Sequence, residues 1–264
     1  EDAKKLNNIL ITAIDKNYYQ YLSQLPKSSS LVIHDPTEVK GASCQPVLDI
    51  LSVFKIYTIR KTVQQFLKTT YQIKSQFKLH PFFEFSKQPK SKLTKAVSIS
   101  RVDYDKHTEI IIDANKILKK KKKPIIDIYG AKNDRYVFYK LQQHDSMKET
   151  DKNSAYKGRF DKTFEAIGKI LKDTKFVVDM SAIKNDGGGS QYTFLEAIYY
   201  DCALILNKQW IESTNSVFIP NKNCFVVETG EELAQLLIKN PDTTKIVKEA
   251  RKLLKPHQTV NWCL

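Results

Sequence analysis

From residue 96 onward the chain alternates short apolar runs with helix-length segments, and this alternation limits the possible folds more than any other feature. Strand-like runs fall at 96–100, 124–129, 176–180 and 203–206, with an edge run at 224–227. Amphipathic segments at 107–119, 160–171, 193–200 and 231–238 separate or follow them, and a basic helix is expected near 244–254. Strands that alternate with helices predict a parallel, doubly wound sheet. Before residue 86 the same pattern is shorter: strands over 8–14, 30–34, 55–59 and 77–85, with helices over 18–25 and 61–70. The polar, basic, proline-broken stretch 86–92 marks a boundary. The expected class is therefore α/β with two Rossmann-like domains, 1–92 and 93–264, the first looking incomplete for a matching half.

Chemistry-bearing residues collect where strands end, the edge at which open α/β sheets bind ligands. Asp186-Gly187-Gly188-Gly189 lies between the run 176–181 and the helix-length segment 193–200. A glycine turn feeding a helix N-terminus offers unpaired N–H groups and the positive dipole end to a phosphate; the other reading is a tight connection without ligand. Arg101 closes the strand 96–100, and Lys106 follows five residues later at a helix start. Two cations there can converge on a diphosphate; alternatively Arg101 pairs with Asp103 or Asp105. His34 and Asp35 follow an N-terminal strand and Arg60 follows another, so all three are expected on the acceptor side, unless Asp35-Pro36 is only a turn and Arg60 only solvated. The run Lys119 to Lys123 reads as a solvated helix end, where cations suit the dipole, or as a phosphate patch.

In this order, the Arg101 to Lys106 spacing, the run 126–130, Tyr156-Lys157-Gly158, Val178-Asp179-Met180-Ser181, the glycine turn and Leu195-Glu196-Ala197 resemble the nucleotide-binding half of GT-B glycosyltransferases. The likeness is to the retaining class with an Arg/Lys pair and two glutamates eight positions apart, and it covers residues 95 to 230. The segment 192–196 also resembles phage DNA α-glucosyltransferases. The resemblance implies a UDP- or GDP-linked sugar as donor substrate, no metal and no further cofactor. It implies that Arg101 and Lys106 neutralise the diphosphate, that Glu196 accepts hydrogen bonds from ribose hydroxyls, and that Gly187, Gly188 and Gly189, with Tyr129 and Ser181, line the donor side. It further implies transfer of a hexose with retention to an acceptor hydroxyl on a glycan, a protein or a modified DNA base. One position departs from the pattern: Gly188 stands where the first glutamate falls, and Asp186 is the nearest acid.

Composition bears on the competing reading. Lys+Arg 43 against Asp+Glu 29 gives +14, and such an excess favours an anionic partner. A non-catalytic nucleic-acid-binding protein on a degenerate glycosyltransferase fold is thus the alternative. Cys44, Cys202, Cys224 and Cys263 show no CxxC pair, which fits reduced thiols in a cytoplasmic setting. No apolar run approaches the ~20 residues of a membrane helix, and the opening residues do not read as a signal peptide. Neither Ser181 nor Cys202 has a recognisable His/Asp companion for a hydrolase triad.

Overall fold

The computed structural model describes residues 5–12, 14, 19–39, 49, 51, 53–82, 95–142, 147, 154–161, 163–182, 192–212 and 216–262. It divides into two compact units, residues 1–81 with 256–264, and residues 82–255. The division falls at Pro81/Phe82 rather than at 92/93, and the last nine residues belong with the first unit. Phe82 is fully buried in the second unit, with its ring 5.7 Å from those of Tyr192 and Tyr199.

The first unit holds a parallel sheet of β1 (Leu10–Ile11), β2 (Ser30–Ile33), β3 (Lys55–Thr58) and β4 (Gln76–Phe77), in that order. The helices α1 (Tyr19–Leu22) and α2 (Lys61–Tyr71) accompany it. Of the strand expected over 77–85, residues 83–85 lie outside the described residues; within 77–82 only Phe77, with Gln76 before it, pairs with β3, and Pro81 has no N–H to donate.

The second unit carries six parallel strands: β5 (Lys95–Ile99), β6 (Ile126–Tyr129), β7 (Tyr156–Gly158), β8 (Thr174–Asp179), β9 (Ala203–Asn207) and β10 (Phe225–Val227). Their order is β10-β9-β8-β5-β6-β7. This is the doubly wound arrangement in which the chain winds outward from β5 on one side and then on the other. Alternate residues serve opposite faces. Ala96, Phe176, Val178 and Ile205 pack into one core layer, while Val97, Ile99, Val177 and Leu204 pack into the other. Helices cover both faces: α3 (Thr108–Lys120) and α6 (Gly230–Lys239) on the first, α4 (Phe164–Leu171) and α5 (Tyr192–Tyr199) on the second.

Local chemistry explains several boundaries. Buried Asn115 of α3 donates from Nδ2 to the Ile126 carbonyl (3.0 Å) and accepts the Ile126 N–H at Oδ1 (2.8 Å), which ties the helix to the first residue of β6. The helix expected from 160 begins at Phe164 because Thr163 caps it, its Oγ1 accepting the Ala166 N–H at 3.2 Å. Some elements left no mark in the sequence pattern, among them β7 and a short helix Asp134–Tyr136 that widens into a π-type turn over Val137–Leu141. Cys202 and Cys224 are buried thiols, and burial pushes the Cys224 thiol up to about 12. Cys44 and Cys263 lie outside the described residues.

Candidate active site

The winding of the second unit reverses between β5 and β8, and the crevice of such a sheet opens at the carboxyl ends of those two strands. β5 delivers Ser100 and Arg101 there, and β8 delivers Met180 and Ser181. A single side chain bridges them. Lys106, only 8% exposed, donates from Nζ to Ser181 Oγ at 3.0 Å. The Ala182 N–H also donates to the Asp105 carbonyl (3.2 Å), so the loop after β5 is fastened to the end of β8 at two points.

Arg101 reaches the same place differently. Its side chain is 64% exposed, with Nη1 at 3.4 Å from Asp103 Oδ2 and Nη2 at 3.5 Å from Asp105 Oδ2. The Asp105 carboxylate also lies 3.5 Å from Lys106 Nζ. The structure therefore brings Arg101 and Lys106 together through Asp105: Arg101 pairs with the two aspartates and shares an edge with Lys106. At 3.4 and 3.5 Å these are loose contacts, well short of a charge-assisted fork, and an exposed guanidinium can exchange them for an anion.

The loop that presents these cations is held from β6. Asp103 Oδ1 accepts the Tyr104 N–H (2.8 Å) and the Asn133 Nδ2–H (2.9 Å), while the backbones of Val102, Ala131 and Asn133 bond one another at 2.8 and 2.9 Å. The approach is so close that a Cβ on Gly130, at φ +142°, would sit 2.0 Å from the Ser100 carbonyl oxygen. Tyr156 Oη donates to the Gly130 carbonyl at 2.8 Å. Tyr129 stands one strand away from the reversal point, its ring edge-on to Phe160 at 6.3 Å. Burial, and then the Asp127 charge, hold its hydroxyl above the usual tyrosine range.

Glu196 lies on the second turn of α5, the helix that follows β8, and is 6% exposed. Among the described residues no hydrogen bond or ion pair meets its carboxyl. Burial alone pushes its pKa up to about 7. A carboxyl whose pKa is shifted by desolvation is the kind of group that collects at functional sites. The turn before it, with Asp186, Gly187, Gly188 and Gly189, lies outside the described residues.

In the first unit, His34 follows β2 and Arg60 follows the neighbouring β3 and precedes α2, so the two share the carboxyl edge of that sheet. The His34 N–H donates to Glu38 Oε2 (3.1 Å), and its Nδ1 lies 3.5 Å from Glu38 Oε1. Asp35, next in the chain, is half-buried. Three roles go beyond what the sequence implies: Asp105, expected only as a partner of Arg101, links the two cations; Ser181, expected along the donor, accepts from Lys106; and Asn133 anchors their loop. Asn133 had a readable signal, since it caps the next short helix through the N–H groups of Arg135 and Tyr136. Among the described residues no group of His, Cys, Asp and Glu is placed to hold a metal ion.

No family model and no curated protein matches the sequence. Solved structures do match in three dimensions. A mutant of S. aureus TarM in complex with fondaparinux, alpha-GlcNAc-glycerol and UDP is 18% identical at a TM-score of 0.65, over 93% of this chain and 51% of that one. The pneumococcal O-GlcNAc transferase GtfA, in complex with UDP and GlcNAc, is 14% identical at 0.64, over 95% and 54%. HepE from Anabaena, in complex with UDP and glucose, is 15% identical at 0.66, over 94% and 73%. Identities this low carry the fold: the chain has the GT-B glycosyltransferase fold expected from its sequence. It spans about half the length of TarM and GtfA.

Proposed function

We propose that this chain binds a nucleotide-diphosphate sugar at the carboxyl ends of β5 and β8 and transfers its hexose to an acceptor hydroxyl. The observation that carries the reading is the Lys106 ammonium, buried against Ser181 across the reversal point and joined to Arg101 through Asp105. A diphosphate entering there would take the place of the aspartates on Arg101 and meet two cations already in position. As the bond from the sugar's anomeric carbon to the diphosphate breaks, its electron pair goes to the leaving oxygen. Preorganised cations stabilise that charge without reorganising at the moment of reaction. The acceptor oxygen forms the new bond to the same carbon and its proton passes to the departing phosphate, a course that retains configuration and draws on the chain's own cations. Glu196 would accept the ribose hydroxyls, with Tyr129, Ser181 and the turn at Asp186 to Gly189 along the donor. His34, Asp35 and Arg60 are assigned to the acceptor, whether glycan, protein or DNA.

UDP is the first nucleotide to test, because the GtfA and HepE complexes contain it. The reading predicts release of UDP from UDP-glucose in the presence of pooled acceptors. Protein that neither transfers nor hydrolyses any UDP- or GDP-sugar would overturn it. The +14 charge and Gly188 in place of an acid favour the second reading, nucleic-acid binding without catalysis. That reading predicts DNA affinity that falls steeply with salt and no sugar release.

A further inference from the structure

We propose that the amino-terminal edge of the second unit's sheet, the end of the strands opposite Arg101 and Lys106, docks onto an anionic lipid bilayer through Lys119, Lys120, Lys121, Lys122, Lys123 and Lys239. The five consecutive lysines are all exposed, and among the described residues none has an ion pair. Other lysines of the chain are paired, Lys95 with Asp173 on the same edge, and Lys116 with Asp113, Lys157 with Asp127 and Lys169 with Glu165.

The backbone under the run adds a second observation. α3 ends in a left-handed turn with Lys122 at φ 52°, closed by bonds from the Lys122 N–H to the Lys119 carbonyl (3.0 Å) and from the Lys123 N–H to the Leu118 carbonyl (2.9 Å). Glycine or asparagine suits that position, and a lysine there is strained. The position carries a charge where local geometry asks for none.

Lys239 reaches the same edge on α6. A Cβ on Gly230, the first residue of α6, would lie 2.8 Å from both Asp113 Cβ and the Ile110 carbonyl oxygen, so the two helices are in close contact there. α3 then leads to the start of β6, while Asn240, just past α6, accepts Lys175 Nζ at 2.7 Å at the start of β8. The lysine run and the end of α6 carry no exposed aromatic or large aliphatic side chain and no arginine; the arginine of this edge, Arg251, lies by the start of β9 and pairs with Asp201. Nucleic-acid surfaces draw on stacking rings and guanidinium forks. Lysine point charges without either suit a plane of anionic headgroups, each worth a modest, salt-screened attraction. No helix among the described residues is long and apolar enough to cross a membrane.

The test is cosedimentation of the full chain with phosphatidylcholine vesicles that do or do not contain one third phosphatidylglycerol. Binding is expected only to the anionic vesicles, weakening as salt rises. A variant with Lys120→Gln, Lys121→Gln, Lys122→Gln and Lys123→Gln should bind on the order of a thousandfold more weakly. A second variant loses the same charge elsewhere, through Lys5→Gln, Lys27→Gln, Lys68→Gln and Lys74→Gln, and should bind as the parent does. Equal binding to both vesicle types, equal loss in both variants, or tighter binding of duplex DNA than of the anionic vesicles would overturn the proposal.

Discussion

Glu196 shows most directly how a residue can be visible in the sequence and its state not. Its place beside Leu195 and Ala197 in an apolar helical segment was readable. That its carboxyl is buried with no described partner depends on β8, β9 and the surrounding helices closing over it. Its pKa, raised by burial to about 7 from an ordinary 4.5, means the folded chain holds a proton that the unfolded chain has released. Stability therefore falls as pH rises from about 4.5 to about 7 and stays lowered above that. At about 1.4 kcal/mol per pH unit the penalty is at most about 3 kcal/mol. Glu196→Gln should remove it, so the variant gains on the parent in urea unfolding at pH 8 and shows no gain at pH 4. A gain independent of pH would contradict the burial of this carboxyl. Arg101 and Lys106 were equally readable as a spaced pair, but sequence alone cannot distinguish an aspartate that neutralises a cation from one that links two, and Asp105 does both.

At the scale of elements, the strands β5, β6, β8 and β9 and their helices follow from apolar periodicity, because each is long enough to fill both core layers. β7 was not legible, since three residues carry too little pattern. The loop carrying the cations was legible only as a position; its shape comes from Gly130 and Asn133 at the end of the adjacent strand. Gly130 lets β6 approach the Ser100 carbonyl, and an added Cβ would meet that oxygen at 2.0 Å. Gly130→Ala should cost about 3 kcal/mol or more, from clash and a φ that L side chains avoid. It should also weaken donor binding, because Arg101 follows Ser100 directly. Thermal unfolding and UDP titration check the two effects, and an unchanged melting temperature would refute the close approach.

Across the whole molecule, the described residues include a connection with no signature in the sequence. Residues 256–262 return to the first unit, across separations with no periodicity to read. Trp262 Nε1 donates to the Leu79 carbonyl at 2.9 Å, Lys78 Nζ to the Asn261 carbonyl at 2.7 Å, and the Trp262 ring lies 5.4 Å from that of Tyr57. His257 Nδ1–H donates to the His80 carbonyl at 2.7 Å. Trp262→Ala should cost about 2 kcal/mol in the first unit, measured by hydrogen exchange at β3 and β4; full protection there would contradict the clasp. Burial holds His80 and His257 below the usual histidine range, with the charges of His34 and His257 adding to the effect at His80. The unfolded chain then binds protons first, so this unit's stability should decline as pH drops below about 6.5, and denaturant midpoints at pH 7.5 and 5.5 check it.

The central claim is that the buried Lys106, with Arg101, forms the diphosphate site at the carboxyl ends of β5 and β8. Isothermal titration of UDP into the parent chain, Arg101→Ala and Lys106→Gln tests it most directly. The account predicts saturable binding by the parent and a loss of about tenfold to a hundredfold in each variant, the range expected for one charge-assisted hydrogen bond removed. UDP binding of equal strength by all three folded proteins would contradict it.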